Sequence, residues 1–272
     1  VVEIKSEERE KLLDKYQDKL DVDSFLSRKI VSFQANKKTP IYRWFKYKEG
    51  FSSELVKYYV SKFGLEGKTV LDPFAGTGTT LFASGELGCT SIGIELLPVG
   101  VFYMNLRKNL LKIQAKTLNE IKSNLWSNVE EYTGRKNPIK HIPITDGAFS
   151  KENELLLNKY LEYSSTLDFE YSEILRFVAY SILESISFTR KDGQYLRWDH
   201  RSNRRVGKTK FDKGIILDFK TAIDNKFSEI LEDISNPTED RTLFPEPKNI
   251  DVNKIEVFQD SCLNRLPSLK ED

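Results

Sequence analysis

The residues best placed to do chemistry are a pair of glycines and three acids, each at the end of a short apolar run. Asp72-Pro73-Phe74-Ala75-Gly76-Thr77-Gly78-Thr79-Thr80 follows Thr69-Val70-Leu71 and opens a stretch predicted to be helical to about Leu87. Glycines at 76 and 78 let a backbone come close to a ligand at a helix N-terminus, where unpaired N–H groups attract polar partners. The third glycine of a dinucleotide fingerprint would fall at Leu81, which weakens a pyrophosphate reading. Tight strand-to-helix turns that bind nothing carry glycines as well. Glu95 ends a second run, Ser91-Ile92-Gly93-Ile94, where nucleotide-binding α/β units set an acid against ribose hydroxyls. Asp260-Ser261 closely follows a third run, Ile255-Glu256-Val257-Phe258. The plain alternatives are a solvated strand-end acid at 95 and a turn aspartate at 260.

A second group is basic and aromatic. Arg190, Lys191, Tyr195, Arg197, Trp198, Arg201, Arg204 and Arg205 crowd into residues 189–213, with Lys208 and Lys210 after them. Arginines hold phosphates or grip guanine edges, and Tyr and Trp stack on bases. Gly193 and Gly207 predict a loop there. A solvated loop whose arginines meet acids elsewhere has the same composition.

The elements that must position these residues are predicted as follows. Residues 6–20 form a charged helix with Leu12, Leu13, Tyr16 and Leu20 on one face. Ser52 or Ser53 caps a helix reaching about Phe63. Strand, glycine loop, helix, strand and acid then succeed one another as a mononucleotide-binding unit. From about 103 to 250 strand signals mostly vanish. Leu106 to Val129 reads as one long amphipathic helix, followed by helices at 154–163, 171–187 and 217–234. The fold class expected is α/β: a partial Rossmann-like sheet of three strands with a large, mostly helical insertion. The divisions expected are an N-terminal helical segment (1–40), a nucleotide-type half (41–105 and 251–272) and the insertion (106–250).

Composition narrows the field. With 39% hydrophobic and 31% charged residues and a net charge of +1, the chain has an ordinary soluble balance, and no global charge signals a nucleic acid. No apolar run approaches membrane-spanning length. Cys89 and Cys262 make no disulfide framework, so a reducing, cytoplasmic setting is expected. His141 and His200 lack neighbours at metal-ligand spacing. The chain starts at Val1 and Met104 is its single Met, which reads as a processed product or a fragment.

The segment 72–80 closely resembles the cofactor loop of DNA N4-cytosine and N6-adenine methyltransferases, with its Asp-Pro-Phe opening as the most specific part. The resemblance covers about residues 41–105 and 255–266. It implies S-adenosyl-L-methionine as cofactor, which carries a sulfonium, an ammonium and a carboxylate but no phosphate. That chemistry suits an acid at the strand end. By resemblance, Asp72, Pro73, Phe74, Ala75, Gly76, Gly78, Thr79 and Thr80 line the amino-acid end of the cofactor, with Asp72 acting on the ammonium. Glu95, with Leu96 beside it, serves the ribose, and Asp260-Ser261 serves the adenine. Residues 43–52 resemble the motif that precedes this loop, which puts Lys48, Gly50, Phe51 and Ser52 near the cofactor carboxylate. Core packing explains those aromatics equally well.

Amino-methyltransferases also need an Asp/Asn/Ser-Pro-Pro-aromatic tetrapeptide that accepts from the target amino group and stacks on the flipped base. No Pro-Pro occurs in the chain. In the family the tetrapeptide ends a fourth strand pairing with the first, so Val70-Leu71 is expected on an open edge. A complementary polypeptide or a C-terminal segment would then supply the catalytic motif, with double-stranded DNA as substrate and a restriction–modification system as the setting. An RNA amino-methyltransferase and a non-catalytic cofactor- or DNA-binding subunit are the alternatives. A nicotinamide dehydrogenase fits least.

Overall fold

The computed structural model describes residues 7–19, 23–192, 195–202, 204, 210–235 and 250–269. Its strands are β1 (Thr69–Asp72), β2 (Thr90–Glu95), β3 (Thr189–Asp192), β4 (Tyr195–Trp198) and β5 (Ile255–Gln259). Its α-helices are α1 (Glu7–Tyr16), α2 (Ser53–Lys62), α3 (Thr79–Glu86), α4 (Pro98–Leu110), α5 (Ala115–Glu130), α6 (Lys151–Ser164), α7 (Phe169–Ile186), α8 (Phe219–Ser235) and α9 (Cys262–Arg265). The fold is α/β, as expected.

β1, β2 and β5 form a parallel sheet in that order, with Leu71 opposite Ile92 and Ile92 opposite Glu256. The parallel register brings the carboxyl ends of all three strands to one rim, where Asp72, Glu95 and Asp260 lie. β1 is an edge of the sheet, and Leu71 is 42% exposed there.

Local chemistry explains most boundaries of the first half. Ser52 N-caps α2 by accepting from the Leu55 N–H, and Gly64 (φ 61°) ends it. Gly78, left-handed at φ 84°, turns the chain from loop into α3, and Gly88 (φ 81°) stops it. A buried cluster including Val56, Val60, Leu81, Phe82, Met104 and Ile255 joins α2, α3, α4 and the sheet. A second, larger cluster fills the helical region, including Leu118, Leu157, Phe177, Val178, Phe219 and Phe227.

Two expectations change. The predicted single helix from Leu106 to Val129 is the end of α4 and the whole of α5, separated at 111–114. Tightened hydrogen bonds from Lys112 to Asn109 and from Ile113 to Leu110 close α4, and Gln114 is extended. The apolar period runs through because both helices bury Leu110, Leu118 and Leu125 in one cluster, and no Gly or Pro marks the break. The basic segment is not simply loop: β3 and β4 form an antiparallel hairpin. Leu12, Leu13 and Tyr16 of α1 are all exposed; Leu20 lies outside the described residues.

Candidate functional site

The glycine loop is held from within. Asp72 accepts the Phe74 N–H on Oδ1 (3.0 Å) and the Thr80 hydroxyl on Oδ2 (2.6 Å), tying the end of β1 to the first turn of α3. Pro73 fixes the backbone between them. The Ala75 N–H continues the sheet by donating to the Ile94 carbonyl (3.0 Å). The Gly76 N–H donates to Glu95 Oε2 (2.8 Å), and Glu95 Oε1 accepts the Leu97 N–H (2.7 Å). Glu95 therefore clamps the loop to the start of α4. Asp260 joins the same rim, its N–H donating to the Glu95 carbonyl (3.2 Å) and its Oδ1 accepting the Ser261 N–H (2.7 Å). Ser261 caps α9.

Both loop glycines are required. Gly76 (φ 55°) and Gly78 (φ 84°) are left-handed. A β-carbon would stand 3.0 Å from the Tyr47 ring at position 76 and 2.7 Å from Met104 at position 78. Gly100 is equally constrained, although no motif flagged it. A methyl there would lie inside van der Waals contact of the Gly76 carbonyl oxygen and 2.8 Å from Glu95 Cγ.

Two cavities flank this loop and share Phe45, Lys46, Tyr47 and Thr77 as a common wall. One, of about 200 Å³, brings together Lys48, Gly76, Glu95 and Gly100 with Glu184 and Lys191. Within it Glu184 pairs with Lys46 (2.8 Å) and Lys48 (2.9 Å). Burial alone would raise the Glu184 carboxyl, but the two ammonium groups outweigh it and hold it at about 2. Tyr47 is shifted upward by burial and by Glu49 and Glu95, so it stays a neutral phenol. The other cavity, of about 200 Å³, reaches beneath the loop at Thr77 and Thr79 to Arg107.

The structure distributes the expected cofactor residues unevenly. Asp72, Gly76, Glu95 and Asp260 converge on the rim. Phe74 and Leu96 lie beside it at 76% and 65% exposed. Ser52 is buried, donates to the Ile30 carbonyl (2.6 Å) and caps α2. Phe51 is half-buried, its carbonyl bound by Asn36. Lys48 reaches the cavity but is engaged by Glu184 and by the Lys191 carbonyl. The segment before the loop is docked onto α8 instead: buried Asp233 accepts from the Ile41 N–H, Arg43 and the Trp44 indole.

Register sorts the basic residues. Arg190 stands opposite Arg197, and Asp192 opposite Tyr195, so these four share the outer face of the hairpin. Thr189, Lys191, Leu196 and Trp198 take the other face. Arg190 is exposed and makes no ion pair among the described residues. Tyr195 is 78% exposed. Arg197 lies over Phe211 (4.4 Å) and 3.4 Å from Asp192. Arg201 is engaged at home, doubly bonded to buried Asp199 (2.6 and 2.8 Å). Arg201 comes first among the groups that hold the Asp199 carboxyl well below the usual range. Arg204 stacks on Trp198 (4.2 Å) and bonds the Pro143 carbonyl, while Lys191 pairs with Glu49. Arg205 lies outside the described residues.

Residues 2–101 match the family model described as DNA methylase. Across 268 residues, 96% of the chain, it is 41% identical to the Type II methyltransferase M.AvaI of Nostoc sp. (strain PCC 7120), of which it covers 54%. It is 35% identical over 281 residues to the Type II methyltransferase M.BsoBI of Geobacillus stearothermophilus, covering 97% of the chain and 53% of that protein. By these matches the chain is similar to DNA amino-methyltransferases. It spans about half the length of these curated relatives. No solved structure is a significant match. Among the described residues, no helix is long and apolar enough to cross a membrane. Three carboxylates at the strand ends favour a cationic ligand and oppose a phosphate.

Proposed function

We propose that this chain binds S-adenosyl-L-methionine across the carboxyl ends of β1, β2 and β5, as the cofactor half of a site-specific DNA methyltransferase. The target is an exocyclic amino group, N4 of cytosine or N6 of adenine. The observation that carries the reading is the Asp72–Thr80 loop clamped by Glu95, with glycines where the backbone must be approached. Bound, the cofactor supplies a methyl group on a sulfonium. The chain's own residues bind and orient: Asp72 offers a carboxylate to an ammonium, Glu95 to ribose hydroxyls, and Asp260 to the adenine amino group. Such charged hydrogen bonds contribute on the order of 1.5–3 kcal/mol each.

The hairpin β3–β4 supports contact with double-stranded DNA. A two-stranded ribbon fits the major groove, and its outer face carries Arg190, Arg197 and Tyr195. Methyl transfer needs the Pro-Pro-aromatic tetrapeptide, which these 272 residues lack. A further segment or partner chain supplies it and pairs with the open β1 edge, consistent with exposed Leu71 and with relatives of about twice the span. We place the protein in a restriction–modification setting on the same likeness.

The test is calorimetric titration of S-adenosyl-L-methionine into the chain, alone and together with any polypeptide that follows Asp272 in its gene. Saturable binding that Asp72→Ala abolishes is expected. Absence of binding in both formats, with the sheet folded by circular dichroism, refutes the proposal.

A further inference from the structure

The cavity beneath the glycine loop is unbalanced in charge among the described residues. Its lining includes the cations Lys37, Arg43, Lys46, Arg107 and Lys226, and no aspartate or glutamate. Three of these have acids of their own: Arg43 has Asp233 and Glu232, Lys46 has Glu184, and Lys226 has Glu229. Lys37 rests on the Phe33 ring (5.1 Å). Arg107 has no acid. It is 3% exposed, its Nη1 donates to the Thr77 carbonyl (3.1 Å), and its Nε has no hydrogen-bond partner among the described residues.

The surroundings of Arg107 are aromatic and leave a polar opening. Its guanidinium lies 4.7 Å from the Phe82 ring and 5.7 Å from the Tyr42 ring. The acid nearest in the electrostatic sense, Glu86, is already held by Lys57 (2.5 Å) and by the Tyr42 hydroxyl (2.5 Å). Burial lowers the Arg107 guanidinium to about 10, which leaves it charged at neutral pH. A buried, ionised group with an unmade donor is normally paired.

We propose that the Arg107 cavity seats the carboxylate of the amino-acid end of S-adenosyl-L-methionine, with Arg107 as its anchoring cation. This rests on the cofactor reading above and sharpens it. The carboxylate is the one anionic group of that cofactor, and the cavity opens directly beneath Thr77 and Thr79 of its loop. Lys48 and Ser52, by contrast, have their polar atoms engaged within the protein.

The experiment measures affinity, by calorimetry on the full chain, for three probes: S-adenosyl-L-methionine, its decarboxylated analogue and inorganic phosphate. The wild type should prefer the intact cofactor over the decarboxylated one by on the order of 10- to 100-fold. Arg107→Met should lose that preference while keeping its affinity for the decarboxylated analogue. Its melting temperature should hold or rise, because an unpaired buried cation has been removed. Arg107→Lys should keep part of the preference, and it carries the same comparison if the methionine variant does not fold. Equal loss of both adenosyl ligands in a folded variant, or an unchanged preference, overturns the assignment. Arg107-dependent binding of phosphate without discrimination between the adenosyl ligands overturns it in favour of a phosphate site. Failure of the wild type to bind either adenosyl ligand removes the cofactor reading itself, and this assignment with it.

Discussion

Adding one methyl group at Gly100 should damage the protein more than its position on a helix suggests. Gly100 sits in the first turn of α4, where Ala would ordinarily be favoured by about 1 kcal/mol. Its β-carbon, however, would press on the Gly76 carbonyl oxygen, which is backbone and has no rotamer to escape into, and on Glu95 Cγ at 2.8 Å. Overpacking of this kind costs roughly 1–3 kcal/mol. Separating α4 from the loop also strains the Gly76 N–H bond to Glu95, a charged hydrogen bond contributing about 1.5–3 kcal/mol. Set against the helix gain, the net expected loss is about 2–5 kcal/mol, or a melting temperature lower by roughly 4–20 °C. Gly88→Ala is the control. Unlike helical Gly100 it has a left-handed backbone (φ 81°), and it has nothing within 4 Å of the new atom, so only the conformational cost of about 1–2 kcal/mol applies. Guanidinium denaturation of both variants, with cofactor titration alongside, separates the effects. Gly100→Ala should shift the midpoint further and also weaken cofactor binding, whereas Gly88→Ala should spare binding. A Gly100→Ala midpoint equal to wild type, or shifted less than that of Gly88→Ala, would refute the packing argument.

Arg190→Ala with Arg197→Ala should weaken duplex DNA binding and lower the salt slope by about one for each phosphate no longer neutralised, with cofactor affinity unchanged in titration. Arg201→Ala should act differently, lowering thermal stability because it strands buried Asp199; an unchanged melting curve would contradict that role. For Glu184, the folded carboxyl at about 2 lies below its ordinary 4.5. The unfolded chain therefore binds more protons between those values, so this stabilisation is complete above 4.5 and disappears as pH falls through about 2. Denaturation midpoints measured down this range should fall more steeply for wild type than for Glu184→Gln, and parallel curves would exclude the contribution.

The strand–loop–helix–strand unit and its acids are legible in the residues alone. Those features are written locally: Asp72 reaches only Phe74 and Thr80, the glycines need only their own backbone angles, and the Ser52 cap spans three residues. Glu95 is legible as a strand-end acid, but its clamp on Gly76 becomes visible only once parallel pairing sets β1 beside β2. Packing in three dimensions settles the rest. The break between α4 and α5 is hidden in the pattern, because one apolar stripe serves both helices. The hairpin reads as loop because its short strands are mostly polar, and register is needed to separate outward Arg190 and Arg197 from Lys191. Asp233 meets Ile41 across 192 residues of chain, and Arg107 meets Thr77 across 30. Hydrophobic periodicity says which face of a segment is buried, not which charge is buried with it or what lies opposite. The partners of buried polar groups, and the cavities left where a partner is missing, are set by how distant elements pack.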